Sequence, residues 1–450
     1  MRLNRLVSGL VLAAWLMAAC APAATTAAPT SVPPTTVAPT TAPAATTAAP
    51  TSGAVTDVQF WHVYAAGSAQ GTSMDALVAE FNAANPDVKV TGTYQGSYPD
   101  IFKKITTAIA GNGLPDVAVS YQNDIANYGL SGAKIQPLDA WLTDAKLGLS
   151  AADLQDIYPS SIDHYPGSNN QVLSVAYNRS MEVMYYNADM LAAAGFAKPP
   201  ATWDDFMAVC AKVSKAPDQF CYAIGSDASR FASWVWSRGG ELLAPDGKSA
   251  AFHDQGLASL QFLNTLVQKN YAYVVAKQFG DQTDFAAQKT AFTFGSSAGI
   301  PFYNKAVTGS SKPFKWDVAP TPHTTPNPVV DVYGPSAVIF NNAPDKAQAA
   351  WRFVKFLMSP EANAKWVAAT SYFPARKSTL DQLKDFMSKN ALYAGLVGNL
   401  PFGKTEPQIA PWTPIRGVLA DAITAVATGA GTPDDAINTA VQKANAILAK

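Results

Sequence analysis

Residues 60–90 have the sequence FWHVYAAGSAQGTSMDALVAEFNAANPDVKV, in which the end of a strand, a helix and a second strand follow one another. Phe60 ends a stretch in which apolar and polar residues alternate, as is typical of a strand. Thr72 and Asp75 have the spacing of a helix capping box, and Asn85-Pro86 ends the helical pattern. The apolar residues in between recur at helical spacing, namely Met74, Leu77, Val78 and Phe81.

The same alternation of strands and helices continues along the chain. Residues 115–121, PDVAVSY, read as a buried strand after a glycine-rich turn, and a second such region begins near residue 172. Thr202, Ser359 and Thr432 precede helical patterns as cap residues, and a proline follows each of the last two. Strands that alternate with amphipathic helices predict an α/β fold with mainly parallel sheets.

The first 19 residues have the composition of an export signal. A short basic start is followed by an apolar run from Leu6 to Ala18, which is too short to cross a membrane. The small residues before Cys20 resemble the lipobox of bacterial lipoproteins, in which the cysteine is lipidated and becomes the new N-terminus. That resemblance implies a chain anchored to the outer face of the cytoplasmic membrane. The alternative is an ordinary cleaved signal with an unmodified cysteine.

Residues 20–54 predict a disordered linker. From Ala21 to Ala54 the segment consists mostly of Ala, Thr and Pro and carries no charged side chain. Such a composition has too little apolar surface to offset the entropy of ordering, and its prolines favour an extended chain.

The charge and the cysteine content of residues 55–450 limit the classes of function that this part of the chain can have. The net charge of −1 and the absence of a basic run argue against a nucleic-acid partner. Once Cys20 is assigned to the anchor, Cys210 and Cys221 remain as an even pair, which we expect to be disulfide-bonded outside the cell.

The sequence offers little evidence of catalysis. It contains no H-E-x-x-H pair and no Cys/His cluster with zinc spacing, and its four histidines are scattered. We therefore predict a protein that is not an enzyme and needs no cofactor or metal. A secreted carbohydrate-active enzyme, with two carboxyl groups that meet in a cleft, stays open as a less favoured alternative, as does an adhesin or scaffold.

Several blocks of sequence resemble the solute-binding proteins of bacterial ABC importers, of the carbohydrate type known as family 1. The resemblance covers nearly all of residues 56–450, and its motifs are similar to those of the glycerol-3-phosphate-binding proteins. After the opening block it continues through YQGSYPDIFKKITTAIAGNGLPDVAV, NRSMEVMYYNADMLAAAGF, PPATWDDF, FLMSPEANAKWVAATSYFPARKS and TPDDAINTAVQKAN.

The resemblance implies a bilobed periplasmic-binding-protein fold, with two α/β lobes joined by hinge strands and a ligand enclosed between them. Lobe 1 would comprise residues 55–175 and 325–371, and lobe 2 residues 176–324 and 372–450. The chain would cross between lobes near residues 176–179, 320–330 and 371–375. A monomer that delivers its ligand to a membrane permease is the implied assembly.

The resemblance also implies the residues that touch the ligand. The positions that match the family's site are Tyr98, Gln122, Arg179, Ser296, Ser297, Gly334, Tyr372 and Arg416. Further candidates, with weaker support, are Trp61, Trp234 and Trp236. For Arg179 the alternative is a bridge between the lobes, and for Trp234 and Trp236 it is core packing. At Gly334 the expected reason for glycine is close approach of the backbone to the ligand.

At several positions the sequence differs from the glycerol-3-phosphate-binding proteins, and these differences leave the class of ligand undecided. Gln122 replaces an acid and Arg179 replaces a serine, which makes the site more cationic and favours an anion. Ser226 and Ser229 stand where those proteins carry a pair of tryptophans, which removes part of the glycerophosphate site. We expect a sugar or sugar-like polyol, and the alternative is glycerol-3-phosphate or a glycerophosphodiester.

Overall fold

The computed structural model describes residues 54–450, apart from 112 and 278. The predicted signal peptide, the lipidated Cys20 and almost all of the linker lie outside the described residues and stay predictions. Within the described part of the chain, no helix combines the length and the apolar character that crossing a membrane requires.

Strands and helices alternate through the described chain. The strands are β1 (Thr56–His62), β2 (Val88–Tyr94), β3 (Val117–Tyr121), β4 (Ile162–Tyr165), β5 (Gln171–Val175), β6 (Asn178–Asn187), β7 (Phe220–Ile224), β8 (Ala272–Val274), β9 (Thr290–Ser296), β10 (Trp316–Ala319), β11 (Val330–Tyr333), β12 (Pro335–Ile339), β13 (Phe373–Pro374) and β14 (Gly403–Lys404).

The helices cover both sheets. They are α1 (Ala69–Ala84), α2 (Tyr98–Gly111), α3 (Gln122–Leu130), α4 (Asp139–Thr143), α5 (Ala151–Asp156), α6 (Ala188–Ala193), α7 (Trp203–Val213), α8 (Ala228–Trp236), α9 (His253–Gln268), α10 (Gly280–Ala286), α11 (Ile300–Thr308), α12 (Pro344–Leu357), α13 (Pro360–Thr370), α14 (Thr379–Gln382), α15 (Lys384–Lys389), α16 (Ala391–Val397), α17 (Trp412–Ala427) and α18 (Pro433–Leu448).

The opening segment folds as strand, helix and strand, as predicted. β1 and β2 pair in parallel, with Val58 opposite Val90. The helix between them begins earlier than predicted, because Ser68 is its N-cap and its Oγ accepts from the Gly71 amide at 2.9 Å. The predicted capping box at Thr72 is therefore wrong. The cap residues predicted at Thr202, Ser359 and Thr432 are confirmed, and each accepts from a backbone amide three residues later.

The strands form two sheets, one for each predicted lobe. In the first sheet the order is β2-β1-β3-β12-β5-β4, and in the second it is β14-β11-β6-β9-β7-β8, with β10 and β13 also paired to β6. The α/β fold class is confirmed, but both sheets are mixed rather than mainly parallel. β12 runs antiparallel to β3, and β6 runs antiparallel to β9.

The hinge crossings explain why β12 runs antiparallel to β3 and β6 runs antiparallel to β9. β6 and β12 each enter their sheet directly from the other lobe, so they begin at the edge where the neighbouring strands end. A strand that starts at that edge can only run in the opposite direction.

The chain changes sheets at two short connections. The first lies between the end of β5 at Val175 and the start of β6 at Asn178. The second lies at Gly334, because β11 pairs with β6 whereas β12 pairs with β3. The return to lobe 1 predicted at residue 325 is therefore too early. A third segment, β13, pairs with β6 at Arg179 and Asn178.

Apolar side chains fill the space between sheets and helices in both lobes. In lobe 1, Phe60 packs edge-on against Phe353 of α12 with ring centroids 5.2 Å apart. In lobe 2, Phe206 of α7 lies 4.7 Å from Phe292 of β9. Cys210 of α7 and Cys221 of β7 form a disulfide, with Cα atoms 4.9 Å apart, across a connection of 11 residues. By the chain-entropy relation, a loop of this length contributes about 2–3 kcal/mol.

Candidate ligand-binding site

The candidate site lies where strand ends from the two sheets meet beside the hinge. Tyr121 ends β3 in lobe 1 and Ser296 ends β9 in lobe 2. Gly334 lies in the crossing between the two sheets. Ligands of open α/β sheets bind at the carboxyl ends of strands, where the topology switches. This edge of the sheets is therefore the place where side chains from both lobes come together.

Lobe 1 contributes a cluster of tyrosines, of which Tyr64 and Tyr177 are buried and Tyr98, Tyr121 and Tyr372 are partly exposed. The ring centroids of Tyr98 and Tyr121 are 4.3 Å apart, and the hydroxyls of Tyr64 and Tyr177 hydrogen-bond to each other. Burial raises the pKa of Tyr98 well above its usual range, and the neighbouring phenol of Tyr372 adds to the shift. At neutral pH these phenols stay uncharged, so they offer hydroxyl donors and apolar ring faces.

Lobe 2 contributes Arg416 of α17, whose guanidinium is already paired. Its Nη1 donates to Glu406, and its Nη2 lies 3.9 Å from Asp227 Oδ1. Glu406 also accepts from the Ser229 hydroxyl at 2.6 Å and from the Trp412 indole. Arg416 is 27% exposed and Glu406 only 5%. The sequence suggested that the Arg416 guanidinium would bind an anion. In the structure, carboxylates of the same lobe already offset its positive charge.

Arg416 lies across from the tyrosine cluster. Burial raises the pKa of the Tyr121 phenol, and the charge of the Arg416 guanidinium opposes that shift. The carboxylates of Asp227 and Glu406 act on the same phenol. Asn123, two residues after Tyr121, donates to Thr413 Oγ1 at 2.8 Å, so the end of β3 and the start of α17, which carries Arg416, are adjacent.

A second ion pair lies deeper in lobe 2. Glu182 of β6 contacts Arg230 of α8 at 3.4 Å and accepts from the Tyr333 hydroxyl at 2.9 Å. Burial raises the pKa of Glu182 to about 7, and the Arg230 guanidinium opposes the shift. Asp331 is fully buried, and its carboxylate has no hydrogen-bond partner within the described residues. Burial and the nearby Glu406 carboxylate hold the pKa of Asp331 well above its usual range.

The charges of this region do not match the expectation of a cationic site. The guanidinium groups belong to Arg230 and Arg416. The carboxylates that act on one another around them belong to Glu182, Asp227, Asp331 and Glu406. The carboxylates next to Arg416, those of Asp227 and Glu406, offset its positive charge, so an anionic ligand would meet repulsion as well as attraction.

Arg179 serves the hinge rather than this network. Its guanidinium donates to Asp163 at 2.7 Å, to the Ser160 carbonyl at 2.7 Å and to the Gly334 carbonyl at 3.0 Å. It also donates to the Ser336 hydroxyl at 3.0 Å, and the side chain is 1% exposed. The expectation that Arg179 makes the site more cationic is wrong, because Asp163 neutralises it and protein atoms occupy its donors. The structure matches the alternative of a bridge between lobes.

The remaining candidates occupy the strand ends in different ways. The Gln122 side chain is buried, and no partner for its Oε1 is found among the residues that the structure describes. The Ser296 hydroxyl accepts from the Ala298 amide, and the buried Ser297 hydroxyl accepts from the Met181 amide at 3.1 Å. Gly334 has φ +145°, so glycine is required there by the backbone itself.

The three candidate tryptophans have different surroundings. Trp234 and Trp236 are two positions apart on α8, so their side chains diverge. Trp234 belongs to the lobe 2 core, with its ring 5.6 Å from Trp203. Trp236 lies under the Lys404 ammonium at 5.8 Å. Trp61 packs against the α2 side of the first sheet and lines a groove of about 730 Å³ together with Tyr94.

Sequence reasoning missed several residues of the network. They are Tyr64, Tyr121, Asp124, Asp227, Tyr333 and Glu406. A local sequence pattern could have pointed to Asp227, since it is the N-cap of α8 and accepts from the Ser229 amide at 2.8 Å. No local pattern could have pointed to Glu406, because its partner Ser229 lies 177 residues earlier in the chain.

Two short patterns with catalytic associations occur in contexts that do not fit them. Residues 398–405, GNLPFGKT, match the P-loop spacing, but Gly403 and Lys404 form the two-residue strand β14 and Lys404 pairs with Glu241 at 2.6 Å. A P-loop instead runs from a strand into a helix that cradles phosphate. Residues 295–299, GSSAG, match the nucleophile-elbow spacing, yet none of the four histidines hydrogen-bonds to Ser297 in the described chain.

The comparisons with known proteins agree with this geometry. Bacterial extracellular solute-binding proteins, as a family, match residues 76–395 of the chain. The chain belongs to that family. This solute-binding protein is 26% identical, over 421 residues, to the sn-glycerol-3-phosphate-binding periplasmic protein UgpB of Escherichia coli K12, a match that covers 88% of this chain and 93% of UgpB.

Solved structures with the same fold include proteins that bind sugars or other small molecules. The cyclic α-maltosyl-1,6-maltose binding protein of Arthrobacter globiformis superposes with a TM-score of 0.75 at 20% identity, covering 88% of this chain and 99% of its own. UgpB of Mycobacterium tuberculosis in complex with glycerophosphocholine superposes with a TM-score of 0.76 at 20% identity, covering 87% and 98%. These similarities show that the solute-binding protein has the bilobed fold.

Proposed function

We propose that the protein is the substrate-binding component of an ABC importer and captures a neutral sugar or sugar-like polyol between its lobes. It carries out no catalysis itself and hands the ligand to a membrane permease as a monomer. The proposed contacts are Tyr98 and Gln122 from lobe 1, Tyr372 just before β13 at the hinge, and Ser296 and Arg416 from lobe 2. Family membership supports the binding role, and the sugar-binding relatives support the ligand class.

One observation carries the preference for a neutral ligand, namely the ion pair between Arg416 and Glu406. Because the guanidinium is already balanced, a phosphate would have to compete with a buried carboxylate for it. Ligand hydroxyls need no such exchange, since they can donate to carboxylates and accept from phenols. The ring faces of the tyrosine cluster suit the C–H surfaces of a sugar.

Calorimetry with maltose and with sn-glycerol 3-phosphate tests the ligand class. We expect the wild-type protein to bind the neutral disaccharide and to bind the phosphate at least about tenfold more weakly. Replacing Glu406→Gln frees the Arg416 charge, so the affinity for glycerol phosphate should rise by about tenfold or more relative to maltose. Glu241→Gln, which removes a carboxylate from an exposed pair with Lys404, is the matched control and should change neither affinity.

The calorimetric results also separate the alternatives. Tight binding of glycerol phosphate by the wild-type protein, with no response to maltose, would identify it as a receptor for glycerol-3-phosphate or a glycerophosphodiester. Native mass spectrometry of freshly purified protein would reveal a retained ligand outside both classes.

The proposed location is the outer face of the cytoplasmic membrane, with a lipid on Cys20. The Cys20→Ser variant keeps the export signal but lacks the sulfur that carries the lipid. We expect it to move from the membrane fraction to the soluble fraction, whereas Cys210→Ser with Cys221→Ser, which removes only the disulfide, should stay with the membrane. Retention of Cys20→Ser at the membrane would contradict the proposed anchor.

A further inference from the structure

A contact between the lobes is centred on one hydroxyl, that of Thr413 in the first turn of α17. Its Oγ accepts from the side-chain amides of Asn123 at 2.8 Å and Asn127 at 3.1 Å. The same oxygen donates to Asp124 Oδ1 at 3.1 Å. A threonine hydroxyl has two lone pairs and one proton, so these three bonds saturate it.

The partners of Thr413 come from the opposite lobe. Asn123, Asp124 and Asn127 lie on α3, which directly follows β3 of the first sheet, and they are 286 to 290 residues away from Thr413 along the chain. The Asn127 amide also donates to the Ala410 carbonyl, just before α17, at 3.2 Å. These bonds exist only while α3 and α17 are together.

Burial gives the contact its strength. Asn123 and Asp124 are each 8% exposed, and burial raises the pKa of Asp124 to about 6 against the opposing effects of the Thr413 hydroxyl and the Arg416 charge. The buried Asp124 carboxylate and the buried Asn123 amide therefore share one hydroxyl as their hydrogen-bond partner. Losing that hydroxyl would leave polar groups without partners in a poorly hydrated interface, which costs more than the loss of exposed bonds.

Thr413 also lies one helical turn before Arg416. Residues three apart lie on the same side of a helix, so the docking of Thr413 on α3 brings Arg416 toward the end of β3, where Tyr121 directly precedes α3. We infer that Thr413 is a positioning residue. Its hydrogen bonds to α3 hold the two lobes together and so keep Arg416 close to the tyrosine cluster. The inference concerns lobe closure and is independent of which ligand the site takes.

The test compares Thr413→Val, which keeps the shape of the side chain but loses the hydroxyl, with Thr413→Ser, which restores it. The control is Thr428→Val, at the far end of α17, where the hydroxyl bonds only to its own helix at Thr424 O. Hydrogen exchange of residues 122–130 and small-angle scattering are measured on full-length, detergent-solubilised protein without added ligand. In Thr413→Val we expect exchange in α3 to speed up about tenfold or more and the radius of gyration to rise.

Thr413→Ser and Thr428→Val should behave as the wild type in both measurements. Asn127→Ala breaks the contact from the lobe 1 side, so it should open the protein in the same way and add little to Thr413→Val. Exchange in α3 that is unchanged in Thr413→Val would overturn the inference. So would exchange that rises equally throughout both lobes, since that pattern reports general unfolding. Neither readout uses a ligand, so failure here is distinct from failure of the proposed function.

Discussion

Replacing Arg179→Met should destabilise the protein by about 3–5 kcal/mol, the largest effect that we expect from a single substitution outside the apolar core. The change leaves the fully buried Asp163 carboxylate without its counter-charge. It also removes the donors that Gly334 and Ser160 use, so both sides of the hinge lose contacts.

Urea unfolding at neutral pH measures the effect. Lys384→Met is the matched control, because it breaks an ion pair with Asp381 in which both side chains are about three-quarters exposed. That control should cost less than about 1 kcal/mol. Adding Asp163→Leu to Arg179→Met removes the unpaired charge and should recover part of the loss. If Arg179→Met lowered the free energy of unfolding as little as the control does, and also greatly weakened ligand binding, Arg179 would instead be a ligand-binding residue.

The second large effect is expected for Arg416→Leu, which should both weaken ligand binding and destabilise lobe 2 by about 3 kcal/mol. Without the guanidinium, the Glu406 and Asp227 carboxylates lose the counter-charge that they share. Destabilisation should therefore arise from carboxylate repulsion and from the lost ion pair, and binding should weaken because a donor is lost.

Adding Glu406→Gln separates the two consequences. The double variant has no excess carboxylate at this position, so it should regain most of the stability while binding stays weak. Urea unfolding and calorimetry with maltose measure the two properties on the same samples. Lys404→Leu, from the exposed pair with Glu241 on the same segment, serves as the control and should change little. A double variant no more stable than Arg416→Leu would contradict the repulsion argument.

Sequence reasoning succeeded where the determining contacts are local. The caps at Thr202, Ser359 and Thr432 bond to amides three residues later, so the signal and its partner fall within one short window. The resemblance to solute-binding proteins was likewise readable, because its blocks are contiguous stretches. Ser68 was missed since Ser68 and Thr72 both precede the helical pattern, and only the path of the chain after β1 decides between them.

The sequence by itself determined the α/β class, the helix caps at Thr202, Ser359 and Thr432, and the family to which the chain belongs. Only the tertiary structure decided which of two similar arginines is buried at the hinge and which stays partly exposed. Arg179 is buried on Asp163 at the hinge, whereas Arg416 borders the tyrosine cluster with Glu406 at its side. The role of each guanidinium depends on carboxylates and hydroxyls that the fold brings to it, such as the Ser229 hydroxyl 187 residues away from Arg416. No local pattern in the sequence encodes such pairings, because they arise only when the strand ends of two separate sheets are brought together at the hinge.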